Sequence, residues 1–221
     1  MNFKEIFFLL ELIGTVAFAA SGALIAIEKN MDIFGTVFLG VISALGGGVI
    51  RDVLVGNIPP AMFSDYSYLL IAAGCSLLLF TLVLIWKNKI NFHGNLTEKI
   101  IEIFDAVGLG VFTVTGINTG IACGYENNIF FILFLGMTTG IGGGMLRDVM
   151  VKEIPFVLRK RVYAVASLFG GIVYCILLKF SVDEIFSAVA AIVIIFAVRI
   201  LSAAFKINLP RPGIENSKNK E

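Results

Sequence analysis

Long apolar runs with few charges dominate the pattern of hydrophobic and polar positions along this chain. Five runs contain no charged residue at all: Ile33–Ile50, Tyr66–Trp86, Ala106–Tyr125, Asn127–Leu146 and Val162–Leu178. Two further runs contain one charge each, Glu11 within Ile6–Ile27 and Arg199 within Ile185–Phe205. Because about 20 apolar residues cross a bilayer as a helix, the pattern predicts seven transmembrane helices.

The composition agrees with a membrane protein and favours helices over a barrel. Of the 221 residues, 58% are hydrophobic and 15% are charged, and the mean hydropathy is +0.94, whereas soluble domains contain about 25% charged residues. Strands of membrane barrels are about 10 residues long and alternate polar with apolar positions. The runs of this chain are longer and do not alternate, so the predicted fold class is an all-α integral membrane protein.

The distribution of Lys and Arg predicts the orientation of the chain, since these residues accumulate in cytoplasmic loops. With seven spans, the N-terminus and every second loop share one side of the membrane and hold only Lys4, Arg51 and Lys179. The other loops and the C-terminus hold the remaining basic residues, apart from Arg199 in the last span. We therefore expect the N-terminus outside and the C-terminus in the cytoplasm.

The sequence contains no motif typical of an enzyme, a cofactor site or a nucleic-acid interface. Its three cysteines lack the spacing of metal ligands and are expected to be small packing residues. We therefore expect no catalysis, no cofactor and no nucleic-acid partner. A basic run, Arg159, Lys160 and Arg161, is a topology signal that could also contact anionic lipid head groups.

An internal repeat divides the chain into two halves. Phe34–Pro59 and Phe130–Pro155, aligned at an offset of 96, are identical at 13 of 26 positions. Upstream, an offset of 94 pairs Glu11 with Asp105. Each copy holds three spans, an odd number, so the second copy enters the membrane from the opposite face. Such inverted repeats are common in transporters, whose sites form near the midplane at the repeat interface.

The repeat also sets the predicted domain boundaries. The first three-helix repeat covers residues 1–90, and the second, inverted three-helix repeat covers residues 91–182. The seventh helix has no partner in the repeat and covers residues 183–206. The polar segment 207–221, with two prolines and alternating charge, is predicted to be a disordered cytoplasmic tail.

Each half contains a run of three glycines in its second span. The six residues are Gly46, Gly47, Gly48, Gly142, Gly143 and Gly144. Each glycine in a helix costs about 1 kcal/mol relative to alanine, so we expect a kink or a locally unwound turn. The freed carbonyls would be oxygen ligands for a monovalent cation, as in channel filters. The alternative is close helix packing, since small residues let two backbones touch.

Hydroxyl groups cluster near the glycines and are candidates for a polar pathway lining. Ser43 and Thr139 precede their glycine triplets by three residues, and Thr138 is adjacent to one of them. Ser21 and Thr115 recur in the first span of each half. The alternative for each is a hydrogen bond back to the helix carbonyl one turn earlier.

Charged residues at membrane depth are costly and usually mark a pathway or a pair. The candidates at the two pore mouths are Arg51, Asp52, Arg147, Asp148, Glu11 and Asp105. The topology gives Glu11 and Arg51 the same depth, and likewise Asp105 and Arg147, so we expect one ion pair near each mouth. The aspartates that follow the arginines are candidates for helix-end hydrogen bonds or cation attraction. The alternative for each arginine is snorkelling to the head groups.

The duplicated motif G-G-G-x-x-R-D-V, each time followed by I-P, resembles the prokaryotic members of the trimeric intracellular cation channel family. The same bacterial family is also described as glycine-transporter-like. The resemblance extends over about Glu5–Phe205. It implies a homotrimer in the plasma membrane, with a pore in each subunit that conducts monovalent cations, chiefly potassium but also sodium. The pore would pass kinked second and fifth helices, with the six glycines and the Arg-Asp pairs as its residues.

Two classes of function remain open. A cation channel would have a water-filled passage lined by carbonyl and hydroxyl oxygens. A secondary transporter for a small zwitterion such as glycine would offer free amides to the carboxylate and carbonyls to the ammonium. A scaffold without transport is a third reading, which the cost of two buried Arg residues disfavours.

Overall fold

The computed structural model describes residues 3–86, 95–159 and 162–205, and the regular structure in these ranges is α-helical. The helices are α1 (Phe3–Glu28), α2 (Ile33–Leu54), α3 (Ala61–Ser64), α4 (Ser67–Trp86), α5 (Asn95–Ala122), α6 (Ile129–Met150), α7 (Phe156–Arg159), α8 (Tyr163–Lys179) and α9 (Glu184–Ala204). Six of these are long and apolar enough to cross a membrane. The seventh, α8, has 17 residues and is about 26 Å long, close to the thickness of the hydrocarbon core. The predicted seven-helix class is confirmed.

Helix boundaries differ from the apolar runs where polar turns extend a helix. The fourth span begins at Asn95 instead of Ala106, because a charged segment ahead of the apolar run is also helical. The second span continues past Ile50 to Leu54. It ends there because Gly56 adopts a left-handed conformation with φ of 77°, which closes a helix terminus. The two short helices α3 and α7, each following a second span, were not predicted.

The two halves form an inverted repeat of three long helices each, with α9 added. In the repeat α1 corresponds to α5, α2 to α6 and α4 to α8. Helices α2 and α6 cross antiparallel at the centre, because a Cβ at Gly46 would touch Leu146 while one at Gly142 would touch Ile50. Arg51 and the equivalent arginine of α6 therefore lie toward opposite ends of the bundle.

The glycine triplets do not interrupt their helices, so the expectation of an unwound turn is wrong. Both α2 and α6 are helical through the triplets. A Cβ at Gly47 would overlap the carbonyl oxygen of Thr139, and one at Gly143 would overlap the carbonyl oxygen of Ser43. The glycines therefore allow the two backbones to touch, which was the packing alternative, and the contact offsets their low helix propensity.

Some of the predicted features lie outside the described residues. These are the tail 207–221, the residues Lys160 and Arg161, and the side chain of Arg159.

Candidate functional site

Three side chains lie around Arg51 near the end of α2. Together they form what we call the Arg51 cluster: Glu11, Arg51, Asp52 and Tyr68. Nη1 of Arg51 donates to Oε1 of Glu11 at 3.3 Å, and Nε donates to Oδ1 of Asp52 at 2.9 Å. The hydroxyl of Tyr68 donates to Oε2 of Glu11 at 2.7 Å. The carboxylate of Glu11 is thus bound by α2 and α4 together. The Glu11 side chain remains 25% exposed.

An equivalent group, the Arg147 cluster, consists of Ser21, Asp105, Arg147 and Asp148. Nη1 and Nη2 of Arg147 donate to the two carboxylate oxygens of Asp105 at 2.6 and 3.0 Å. Nε of Arg147 donates to Oδ1 of Asp148 at 2.9 Å. Ser21 from the first half accepts from Nη1 of Arg147 and donates to Oδ1 of Asp105, both at 2.6 Å. Neither Arg147 nor Asp105 is more than 1% exposed.

The predicted ion pairs are therefore confirmed, and the aspartates of the two motifs have a structural role. The second carboxylate oxygen of Asp52 accepts from the backbone N–H of Ala61, and that of Asp148 accepts from the N–H of Phe156, both at 2.8 Å. Each aspartate holds its arginine with one oxygen and the first residue of the following short helix with the other. These are the helix-end hydrogen bonds that the sequence analysis considered.

A cavity of about 120 Å³ adjoins the Arg51 cluster, and we call it the first pocket. Its walls include Glu11, Arg51, Asp52 and Tyr68 of the cluster and the unsubstituted Cα of Gly48. This volume holds several water molecules, since one water needs about 10–15 Å³ by the same measure. A carboxylate in the wall of such a cavity attracts cations.

The second pocket adjoins the Arg147 cluster and has no room for a water molecule. Each residue that lines it is the repeat counterpart of a residue in the wall of the first pocket. The counterpart of Ala61 is Phe156, whose ring lies 5.6 Å below the guanidinium of Arg147. Tyr163, the counterpart of Tyr68 at an offset of 95, closes the other side.

Of the six glycines, Gly48 lines the first pocket and Gly144 lines the second, and the other four line neither of these two. A Cβ at either position would meet no atom closer than 3.6 Å. The other four glycines lie in the contact between α2 and α6. The structure therefore brings one glycine of each triplet to a pocket and uses the rest for packing.

The predicted lining hydroxyls are bonded within their own helices. Oγ of Ser43 donates to the carbonyl of Leu39 at 2.8 Å, and Oγ1 of Thr139 donates to that of Leu135 at 2.6 Å. Thr138 bonds in the same way to the carbonyl of Phe134 at 2.9 Å. The back-bonding alternative is correct for all three, and none of them is among the residues that line the two pockets.

Sequence reasoning did not identify Tyr68, Tyr163 or a role for Arg199. The guanidinium of Arg199 lies 4.4 Å from the centre of the Tyr163 ring, so α9 backs the second pocket. Extending the repeat alignment beyond the I-P motif, with the offset changed from 96 to 95, pairs the two tyrosines. No sequence signal places Arg199, because α9 has no repeat counterpart.

At the same end of the bundle as the Arg147 cluster, an exposed ion pair joins the two halves. Nζ of Lys29 lies 2.6 Å from Oε1 of Glu153. Both residues line a cavity of about 370 Å³ that also includes Asp148. Within residues 3–86, 95–159 and 162–205, no three His, Cys, Asp or Glu side chains are grouped so that they could hold a metal ion.

Comparison with known proteins finds relatives over nearly the whole chain. A family model described as glycine transporter matches residues 8–83 and 102–179. The UPF0126 inner membrane protein YadS of Escherichia coli K12 is 35% identical over 94% of this chain and 97% of its own length. A UPF0126 membrane protein of Vibrio cholerae is 33% identical over 93% of this chain and 82% of its own length.

Solved structures of TRIC cation channels resemble this chain over nearly its whole length. A TRIC cation channel studied for the structural basis of conductance is 34% identical, with a TM-score of 0.81 over 97% of this chain and 99% of its own. The trimeric intracellular cation channel orthologue from Rhodobacter sphaeroides is 29% identical, with a TM-score of 0.83 over 91% and 99% of the two chains. These likenesses confirm the resemblance predicted from the duplicated motif.

Proposed function

This chain belongs to the glycine transporter family, and from that premise we propose that it is a potassium-preferring channel for monovalent cations with a pore in each subunit. The observation that carries the proposal is the likeness to a TRIC cation channel at 34% identity over 97% of the chain. A shared fold does not by itself imply a shared function. The chemistry of the two clusters supports the same conclusion.

The pathway that we propose runs from the first pocket, past the crossing of α2 and α6, to the second pocket. Glu11 gives its entrance a carboxylate that is 25% exposed, which favours cations over anions. The first pocket touches α2 at Gly48, where no side chain shields the backbone. Gly144 has the equivalent position in the second pocket. With both helices unbroken, the oxygen ligands would be unshielded helix carbonyls at these two glycines rather than carbonyls freed by a break.

The same proposal includes the location, the orientation and the assembly of the channel. The chain spans the plasma membrane several times, with its N-terminus outside and its C-terminus in the cytoplasm, so the first pocket faces outward and the second inward. The channel is a homotrimer, as the name of the Rhodobacter sphaeroides orthologue suggests for that protein. Helix α4 suits a lipid or subunit contact because only Ala72 and Ser76 of it are buried. Arg159, Lys160 and Arg161 contact anionic lipid.

A second candidate function is secondary transport of a small zwitterion such as glycine. Two observations favour it specifically. The family model carries the description glycine transporter. One pocket holds water-sized space while its counterpart holds none, which is the asymmetry expected of a protein that opens to one side at a time.

Recording from the purified full chain in planar bilayers separates the two candidates. The channel predicts unitary potassium currents whose reversal potential follows the potassium gradient. Gly48→Leu should reduce the unitary conductance by about tenfold, because the larger side chain would occupy the first pocket. Gly74→Leu is the matched control, since a Cβ at Gly74 meets no atom within 4 Å and the residue lies outside both pockets.

Saturable uptake of radiolabelled glycine into proteoliposomes, with no unitary events in the bilayer, would overturn the channel proposal and support the transporter. Unitary currents that Gly48→Leu and Gly74→Leu reduce equally would keep the channel but refute the pathway through the first pocket.

A further inference from the structure

Four buried hydroxyl groups have no hydrogen-bond partner among the described residues, those of Thr36, Thr115, Tyr163 and Tyr174. Thr115 and Tyr163 are the two whose repeat counterparts belong to the clusters described above. Oγ1 of Thr115 and the hydroxyl of Tyr163 bond to none of the described residues, although both side chains are 2% exposed. A buried hydroxyl without a partner costs roughly 1–3 kcal/mol, and native structures contain few of them. Their two positions therefore call for an explanation.

The unpartnered hydroxyls are the repeat counterparts of bonded ones. Ser21, which donates to Asp105, corresponds to Thr115 at an offset of 94. Tyr68, which donates to Glu11, corresponds to Tyr163 at an offset of 95. At the Arg51 cluster Tyr68 donates to the carboxylate of Glu11, and the hydroxyl of Thr115 has no partner among the described residues. At the Arg147 cluster Ser21 donates to the carboxylate of Asp105, and the hydroxyl of Tyr163 has no partner among the described residues.

Thr115 lies level with Glu11. Helices α1 and α5 are antiparallel, because a Cβ at Gly14 would lie 3.1 Å from Phe112 and one at Gly108 would lie 2.7 Å from Phe18. The same register brings Ser21 opposite Asp105, where the two are bonded. The same register, continued toward the N-terminal end of α1, places Thr115 of α5 opposite Glu11 of α1.

Tyr163 lies beside the Arg147 cluster. A Cβ at Gly144 would be 3.6 Å from the Tyr163 hydroxyl and 3.7 Å from Nη2 of Arg147. Tyr163 also lines the second pocket together with Arg147, which is the partner of Asp105. Each carboxylate thus has two hydroxyl groups near it, one from a tyrosine of its own half and one from a Ser or Thr of the other half.

The choice of hydroxyl coincides with the volume of the adjoining pocket. Where the tyrosine bonds the carboxylate, the first pocket contains about 120 Å³. Where the serine bonds it, the second pocket has no room for water. The carboxylate of Glu11 belongs to the wall of the first pocket, whereas Asp105 is absent from the wall of the second, although Arg51 and Arg147 both line their pockets.

We propose that the two clusters are equivalent switches that the structure captures in opposite positions. Each switch has a second position: Thr115 donates to Glu11 and the first pocket closes, or Tyr163 donates to Asp105 and the second pocket opens. Ser21, Tyr68, Thr115 and Tyr163 are then the positioning residues that decide whether each end of the pathway is accessible, and the pathway is open throughout when both tyrosines donate. We call this change of the donating hydroxyl the exchange. It rests on the proposed function in one respect, which is that the two pockets are treated as the ends of one pathway.

Labelling of single cysteines measures each pocket directly. Leu45→Cys and Ile141→Cys are repeat counterparts, are 8% and 6% exposed, and line the first and second pocket respectively. Each would be introduced into the full chain after its three native cysteines are changed to alanine. The rate of reaction with a small methanethiosulfonate reagent in detergent, followed by mass spectrometry, reports access. The parent should label at position 45 and resist labelling at position 141.

The second pocket gives the sharper result. Ser21→Ala removes the bond that holds Asp105 and should raise the labelling rate at position 141 about tenfold, as expected for a hydrogen bond to a charged group. Adding Tyr163→Phe should return the rate to within about twofold of the parent, because the open position then lacks its hydroxyl. In this structure the Tyr163 hydroxyl has no hydrogen-bond partner among the described residues, so a static cluster predicts no such reversal.

The first pocket provides an independent pair of variants. Tyr68→Phe should lower the labelling rate at position 45 about tenfold, and adding Thr115→Val should restore it. Ser76→Ala is the control in both reporters, because that buried hydroxyl donates to the carbonyl of Ala72 in its own helix and belongs to neither cluster. It should leave both rates unchanged. If Ser21→Ala does not elute as a folded protein in gel filtration, this pair decides the question.

Two outcomes would overturn the exchange. The first is that Ser21→Ala raises the labelling rate at position 141 and that adding Tyr163→Phe leaves this rate unchanged or raises it further. The second is opening of the second pocket by Phe156→Ala but not by Ser21→Ala, because the size of Phe156 would then be what closes it. Labelling rates do not depend on conduction, so a chain that passes no current can still exhibit the exchange and a conducting chain can still refute it.

Discussion

Gly47 of α2 lies directly against the carbonyl oxygen of Thr139 in α6, with no space for a Cβ atom between them. The equivalent contact joins Gly143 to the carbonyl oxygen of Ser43. Since lipid tails are as apolar as the side chains, helix association in a membrane depends on such close packing. This pair of contacts therefore holds the two halves of the repeat together.

Gly47→Ala should destabilise the protein strongly, because the new methyl group meets backbone that cannot change rotamer. We expect a loss of about 3 kcal/mol and a fall in melting temperature of about 10 °C. Gly48→Ala is the matched control, since its Cβ has no neighbour closer than 3.8 Å, and it should change the melting temperature by less than about 2 °C. The melting temperatures of both variants are measured in detergent, from the loss of the folded peak in gel filtration after heating. Equal effects would mean that the contact with Thr139 is unimportant.

Asp105→Asn should cost more stability than Glu11→Gln. Asp105 is the main partner of an arginine with no exposed surface, and removing one member of a buried pair costs about 3–5 kcal/mol. Glu11 is partly exposed, so its arginine can be hydrated and we expect a loss of about 1 kcal/mol. The same unfolding measurement compares the two variants. A larger effect of Glu11→Gln would contradict the difference in burial.

Lys29→Gln should have almost no effect on stability, although its ion pair with Glu153 joins the two halves. Both side chains are 41% exposed, and exposed pairs contribute about 0–1 kcal/mol. The melting temperature should fall by less than about 3 °C and by still less in 1 M salt, where surface charges are screened. A loss comparable to that of Asp105→Asn would refute this estimate.

Gly56 and Lys152 occupy the same left-handed place after α2 and α6, with φ of 77° and 59°. A residue with a Cβ is strained there by about 1–2 kcal/mol, whereas glycine is not. Gly56→Ala should therefore lower the melting temperature by a few degrees, and Lys152→Gly should raise it by a similar amount. Opposite signs in the two variants are the expected result, and a loss of stability in both would contradict the strain.

The sequence predicted the ion pairs better than it predicted the glycines. Glu11 with Arg51 and Asp105 with Arg147 followed from the order of the spans, because a buried charge needs a partner at its own depth. The glycines allowed two outcomes, a broken helix or close packing, and the sequence could not choose between them. That choice depends on whether another backbone lies against the helix. The hydroxyls of Ser43, Thr138 and Thr139 presented the same ambiguity.

The sequence by itself determined that the chain lies in a lipid bilayer, how many spans it has and that its repeat is inverted. Hydropathy and the odd number of helices in each copy decide these properties, and neither depends on contacts between residues far apart in the sequence. Only the tertiary structure decided that α2 and α6 remain unbroken, that Tyr68 and Ser21 bind equivalent carboxylates, and that one pocket is open while its counterpart is closed. Two nearly identical motifs adopt different arrangements: Glu11 accepts from a tyrosine of its own half and Asp105 from a serine of the other half. The donor depends on how the helices pack across the bundle, which the repeat does not encode.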